Sequence, residues 1–106
     1  MKKDLWIKRF EKEILPILLF EFNPEMVIIF GSRIKRTANE ESDIDIIIIS
    51  DYFKDTPFIK RMAQVLRKAR FEKHIDYICY TYAEYERLKD RSTILVEALE
   101  NGLRVA

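Results

Sequence analysis

Apolar positions switch between a helical and a strand period several times along the chain, a pattern that predicts an α/β domain. Leu5, Trp6, Phe10, Ile14 and Ile17 recur at helical spacing behind Asp4, a candidate N-cap. They predict an amphipathic first helix that Pro16 ends or kinks. Asn23-Pro24 is a turn signal, and Met26-Val27-Ile28-Ile29-Phe30 follows as a short strand ending at Gly31. The polar segment 32–42 reads as a loop or a loop with a helical turn, and 43–50 as a second strand. Its run Ile46-Ile47-Ile48-Ile49 lacks polar alternation, so both faces should be covered, as in a central strand. Phe58, Met62, Val65, Leu66 and Ala69 suit a helix after Asp55-Thr56-Pro57, and 75–80 is the third strand. From Tyr82 the period is helical again, with Tyr85, Leu88, Ile94, Leu95, Ala98 and Leu99 as the buried stripe and Gly102 as a C-cap able to take positive φ.

Composition narrows the class. The 106 residues are 48% hydrophobic and 35% charged, with only Gly31 and Gly102 as glycines, which excludes a disordered or collagen-like chain. A chain of this length buries roughly 65% of its unfolded surface, enough for a single domain over 1–106. A net charge of +1 commits the whole surface to no polyanion. The basic run 60–73, with Lys60, Arg61, Arg67, Lys68, Arg70 and Lys73, reads as a solvated helix face, and a nucleic-acid contact there is the less favoured reading. Cys79 is the sole cysteine, so an intramolecular disulfide is excluded, and it reads as a small buried side chain. That fits a reducing, cytoplasmic setting, and no apolar run approaches the length of a membrane span.

The chemistry gathers around the second strand. Asp43 and Asp45 project from one face with Cα atoms about 7 Å apart. Two carboxylates at the head of a hydrophobic strand are costly unless a cation neutralises them, and oxygen donors suit magnesium or manganese. Gly31, at a strand end, permits an unusual φ and close approach of a ligand to the backbone. Ser32 adds a hydroxyl and an amide for phosphate oxygens, and Arg33, Lys35 and Arg36 add positive charge. An isolated Asp-x-Asp is more often a solvated strand end, and the neighbouring glycine and cations shift the balance.

Gly31-Ser32, ten residues, then Asp43-Ile44-Asp45 resembles the signature of the polymerase-β-like nucleotidyltransferases, in particular their minimal nucleotidyltransferase branch. The resemblance extends from the leading helix to the closing segment 94–102. It implies a short mixed central sheet flanked by helices, with Asp76 of His74-Ile75-Asp76-Tyr77-Ile78 as a third carboxylate. It further implies that Asp43, Asp45 and Asp76 are catalytic and hold two Mg²⁺ ions, Mn²⁺ being an alternative, and that Gly31, Ser32, Arg33 and Arg36 bind the nucleotide. The implied reaction is transfer of AMP from ATP, or of NMP from another NTP, to a hydroxyl. Small proteins of this branch are similar to antitoxins paired with helical HEPN toxins, some of which receive AMP on a tyrosine, so a HEPN-like partner chain is expected to carry the acceptor. A homodimer is compatible with the same reading.

Two features depart from the branch. Thr37 follows Arg36 where its members often have glycine, and nothing after Ala106 supplies the helical domain with which larger relatives grip base and acceptor. A rival reading takes the chain as a non-catalytic antitoxin that neutralises a helical partner by contact, motivated by the aromatic C-terminal half. His74, the sole histidine, is read as a surface or strand-end residue facing away from Asp76. Tyr77, Tyr80, Tyr82 and Tyr85 read as core and interface aromatics rather than a base-stacking platform.

Overall fold

The computed structural model describes residues 4–35 and 42–106. Four strands form one mixed sheet in the order β3-β2-β1-β4, with β1 Met26–Phe30, β2 Ile44–Ile49, β3 Ile75–Tyr80 and β4 Leu103–Arg104. β1 is antiparallel to β2 and β4, whereas β2 and β3 run parallel. A parallel pair needs a crossover, supplied here by the helix α4, Phe58–Lys68. The remaining helices are α1 (Leu5–Glu13), α2 (Leu15–Phe22), α3 (Ser32–Lys35), α5 (Tyr82–Leu88) and α6 (Thr93–Asn101).

Strand alternation divides the core in two. Ile44, Ile46 and Ile48 with Ile75, Tyr77 and Cys79 face α1, α2 and α4 through Ile7, Phe10, Leu18, Phe22 and Val65. Ile47 and Ile49 with Ile28 and Tyr80 face α5 and α6 through Tyr85, Leu95 and Ala98. The uninterrupted isoleucine run of β2 therefore reflects its central place between two helical layers, as predicted. Asp45 and Asp76 occur on the α5/α6 side of the sheet, two residues before Ile47 and Ile78.

Local signals explain most boundaries. Asp4 caps α1 by accepting from the Trp6 amide at 2.7 Å. The helix breaks at Ile14, and Pro16 sits in the first turn of α2, where its missing N–H costs nothing. Thr81 and Glu84 form a reciprocal capping box on α5, and Ser92 caps α6. The buried Ser50 hydroxyl donates to the Phe22 carbonyl and accepts from the Tyr52 amide, joining the end of β2 to α2.

Four expectations are corrected. Leu5, Ile94 and Leu99 are exposed, because the packed stripes of α1 and α6 run through Ile7 and Phe10 and through Leu95 and Ala98. The stretch after Tyr82 is two helices, separated at 89–92. Gly102 does cap α6, but with φ −79°; its lack of a side chain is needed because a Cβ would overlap the Ala98 and Ile29 carbonyls and the Ile28 methyl. The fourth concerns Arg61, which lies buried rather than on a solvated face. Its guanidinium donates to Glu84 Oε1 at 2.5 Å and Oε2 at 3.2 Å, and to the Thr56 and Cys79 carbonyls, joining α4, β3 and α5. Burial of Glu84 acts to raise its pKa, but the Arg61 hydrogen bonds and the Thr81 amide outweigh it and hold the carboxyl below its usual value.

Candidate active site

Asp45 and Asp76 are directly opposite one another in the parallel β2–β3 register, so their side chains emerge side by side on one face. Asp43 lies two residues before Asp45, just ahead of β2, and therefore follows the same side. The Asp45 carboxyl is pushed above its usual pKa by partial burial, then by the negative charges of Asp76 and Asp43. A carboxyl set against two neighbouring carboxylates is a place where a bound cation would relieve the repulsion.

The pairing of β1 with β2 places Phe30 opposite Asp45, so Gly31 follows at the end of β1 nearest the carboxylates. Gly31 has φ +83°, a conformation disfavoured for residues with a Cβ, and a Cβ built there would overlap the Asp45 carboxylate. The backbone conformation thus favours glycine, and any side chain here would also push the Asp45 carboxylate aside. Its carbonyl accepts from the Ile34 and Lys35 amides at 3.1 Å each, starting the single turn α3 with Ser32 as its first residue. Gly31 and Asp45 are thereby held against one another by β1 and β2, with Ser32 next along the chain at the start of α3.

Arg33 has a different placement from the one expected for a phosphate ligand. It is buried, and its Nε and Nη2 donate to the Ser42 carbonyl at 3.0 and 2.8 Å while Nη1 meets Asp4 Oδ2 at 2.6 Å. Burial acts to raise the Asp4 pKa, and the Arg33 and Trp6 hydrogen bonds overcome it and lower the carboxyl below its usual value. The guanidinium therefore holds together the start of α1 and the residue preceding Asp43. Lys35 reaches across to Glu97 of α6 in an ion pair. Arg36 and Thr37 lie outside the described residues.

His74 is the clearest difference from expectation. It is exposed at the start of β3, as predicted, but it stands on the same side as Asp76, because residues two apart along a strand point alike. Its Nε2 is 2.9 Å from Asp76 Oδ1. Asp43, His74 and Asp76 each offer one ligand atom, and these atoms all lie within 4.8 Å of one another. Such spacing, with carboxylate oxygens predominating, fits a divalent cation. Asp43, His74 and Asp76 are the cluster with that spacing, and Asp45, paired opposite Asp76, stands beside it without being one of its three ligand groups.

The other nucleophile candidates are core groups. Cys79 is buried and its thiol is pushed up to about 12, so it is neither thiolate nor metal ligand in the neutral range. Tyr77, Tyr80 and Tyr85 are buried, and Tyr82 is exposed against Tyr85. Among the described residues no helix is long and apolar enough to cross a membrane.

Residues 12–98 match the family described as polymerase beta, nucleotidyltransferase. The chain is also similar to the crystal structure of a candidate nucleotidyltransferase from Sulfolobus solfataricus, at 33% identity and a TM-score of 0.60, over 81% of this chain and 77% of that one. No curated protein matches.

Proposed function

The chain belongs to the polymerase beta nucleotidyltransferase family, and on that premise we propose that Asp43, Asp45 and Asp76 form a Mg²⁺-dependent centre transferring AMP from ATP to a hydroxyl. The observation that carries this reading is the pairing of Asp45 opposite Asp76 on neighbouring strands, with an Asp43 carboxylate within 4.8 Å of Asp76 and the Gly31 backbone directly against the Asp45 carboxylate. In this reading the Gly31 and Ser32 amides, the Ser32 hydroxyl and the Arg36 guanidinium donate to triphosphate oxygens. Bound divalent ions would supply charge neutralisation for the attacking and leaving oxygens. The chain's own contribution is positional. β2 and β3 hold Asp45 and Asp76 side by side, and the Arg33 clamp fixes the carbonyl preceding Asp43. In this reading Asp76, half-exposed beside His74, takes the proton from an incoming hydroxyl.

The acceptor in this proposal is a tyrosine on a HEPN-like partner chain. Large apolar side chains exposed on α2 and α4, Phe20 and Ile59 at 86% each, favour a protein partner. They equally support the non-catalytic reading, neutralisation of that partner by contact. Co-expression with candidate partner chains, followed by [α-³²P]ATP labelling and mass spectrometry, separates the two. The proposal expects a nucleotidyl adduct that disappears with Asp43→Asn or Asp45→Asn while the variants stay folded. Label transfer that survives both substitutions overturns it, and neutralisation without any adduct selects the contact reading.

A further inference from the structure

The family signature accounts for three carboxylates and leaves the imidazole at the same mouth without a task. We propose that His74 supplies a nitrogen ligand beside Asp43 and Asp76 and biases this centre toward Mn²⁺ over Mg²⁺. The inference rests on the metal-dependent reading above and deepens it.

The spacing is the first argument. Donor atoms on neighbouring vertices of an octahedral ion with bonds of about 2.1 Å are about 3.0 Å apart, and those on opposite vertices about 4.2 Å. His74 Nε2 and Asp76 Oδ1 are hydrogen-bonded at 2.9 Å, already the separation of an edge, and the ligand atoms of Asp43, His74 and Asp76, all within 4.8 Å of one another, reach these spacings by small side-chain rotations. The second argument is freedom. The His74 side chain is 52% exposed and Asp76 is its hydrogen-bond partner, so the ring can turn its nitrogen toward an ion without breaking core packing. The third is donor chemistry: Mg²⁺ takes oxygen and sheds water reluctantly, whereas an imidazole nitrogen adds affinity for transition metals. A second arrangement has His74 hydrogen-bonding Asp76 without touching the ion, and the test is chosen to separate the two.

Electron spin-echo spectroscopy of Mn²⁺ bound to the whole protein reads directly bonded ¹⁴N, and His74 is the only histidine in the chain. The wild type should show ¹⁴N coupling that vanishes in His74→Ala. The same substitution should weaken Mn²⁺ binding by about tenfold or more and Mg²⁺ binding by less than about threefold, as expected for loss of a ligand that the harder ion does not prefer. Mn²⁺ bound without ¹⁴N coupling, or with coupling that persists in His74→Ala, overturns the proposal and leaves the carboxylate centre standing. Failure of the wild type to bind Mn²⁺ or Mg²⁺ overturns both. Circular dichroism of His74→Ala should match the wild type, since the His74 carbonyl still accepts from the Ile44 amide.

Discussion

Replacing Gly31 by alanine tests whether the glycine serves backbone conformation alone or also leaves room for Asp45. At φ +83° an alanine costs about 1–2 kcal/mol of conformational strain. Its Cβ would also overlap the Asp45 carboxylate, and forced overpacking of this kind costs about 1–3 kcal/mol more. Gly31→Ala should therefore lose about 2–5 kcal/mol in urea denaturation at constant m. In an Asp45→Ala background the carboxylate is gone, and the remaining Asp45 Cβ, at 3.4 Å, is in ordinary contact. The same glycine substitution should then cost only the strain, about 1–2 kcal/mol. The difference between backgrounds is a coupling of about 1–3 kcal/mol, read as unequal shifts of roughly 4–8 °C in Tm per kcal/mol. Equal losses in the two backgrounds would refute the packing argument and leave φ as the only reason for glycine. No loss in either would refute both.

Other consequences follow from the same geometry. Asp45→Asn should stabilise the metal-free protein by roughly 0.2–1 kcal/mol, the scale of a cross-strand charge pair, while weakening Mg²⁺ binding. Because the folded Asp45 carboxyl is raised, its contribution to stability is present below the unfolded value near 3.9 and lost as pH rises through the folded value; that slope should flatten in the variant and on metal addition, as pH-dependent melting will show. Mg²⁺ or Mn²⁺ at about 100 times Kd should raise stability by about 2.7 kcal/mol, and this gain should fall in Asp43→Asn. Glu84→Gln strands the buried Arg61 charge and should cost about 3–5 kcal/mol by denaturant titration. The native Glu84 carboxyl is lowered, so its contribution is present above its unfolded value and disappears as pH falls through the folded one. Asp4→Asn removes the acid paired with Arg33, and should weaken metal binding through the Ser42 carbonyl that Arg33 holds next to Asp43.

The fold was legible where a local period governs burial. The isoleucine run of β2 is flanked on both faces because the strand is central, and Pro16 and Asn23-Pro24 mark real boundaries. β4 was invisible, since its two residues carry no alternation and form a strand only by pairing with β1. Arg61 and Arg33 escaped for a related reason. A buried guanidinium is indistinguishable from a solvated one until its partners, Glu84 at 23 residues' distance and Asp4 at 29, are brought up by the fold. The position of His74 relative to Asp76, by contrast, was accessible, because a separation of two along a strand places both on one side. The Gly31 constraint was half legible: the strand end suggested an unusual φ, and only the packed sheet shows the Asp45 carboxylate filling the space of a side chain.

Asp43, Asp45 and Asp76, if they serve nucleotidyl transfer, must move the α-phosphorus of the donor and not its γ-phosphorus. Parallel incubations with [α-³²P]ATP and [γ-³²P]ATP, Mg²⁺ and the partner chain test this most directly. Label from the α position should enter the acceptor, label from the γ position should leave as pyrophosphate, and Asp45→Asn should abolish both. Incorporation of γ label would contradict this role of the carboxylates by showing phosphoryl transfer, and undiminished α-label transfer by Asp45→Asn would contradict it by placing the chemistry elsewhere.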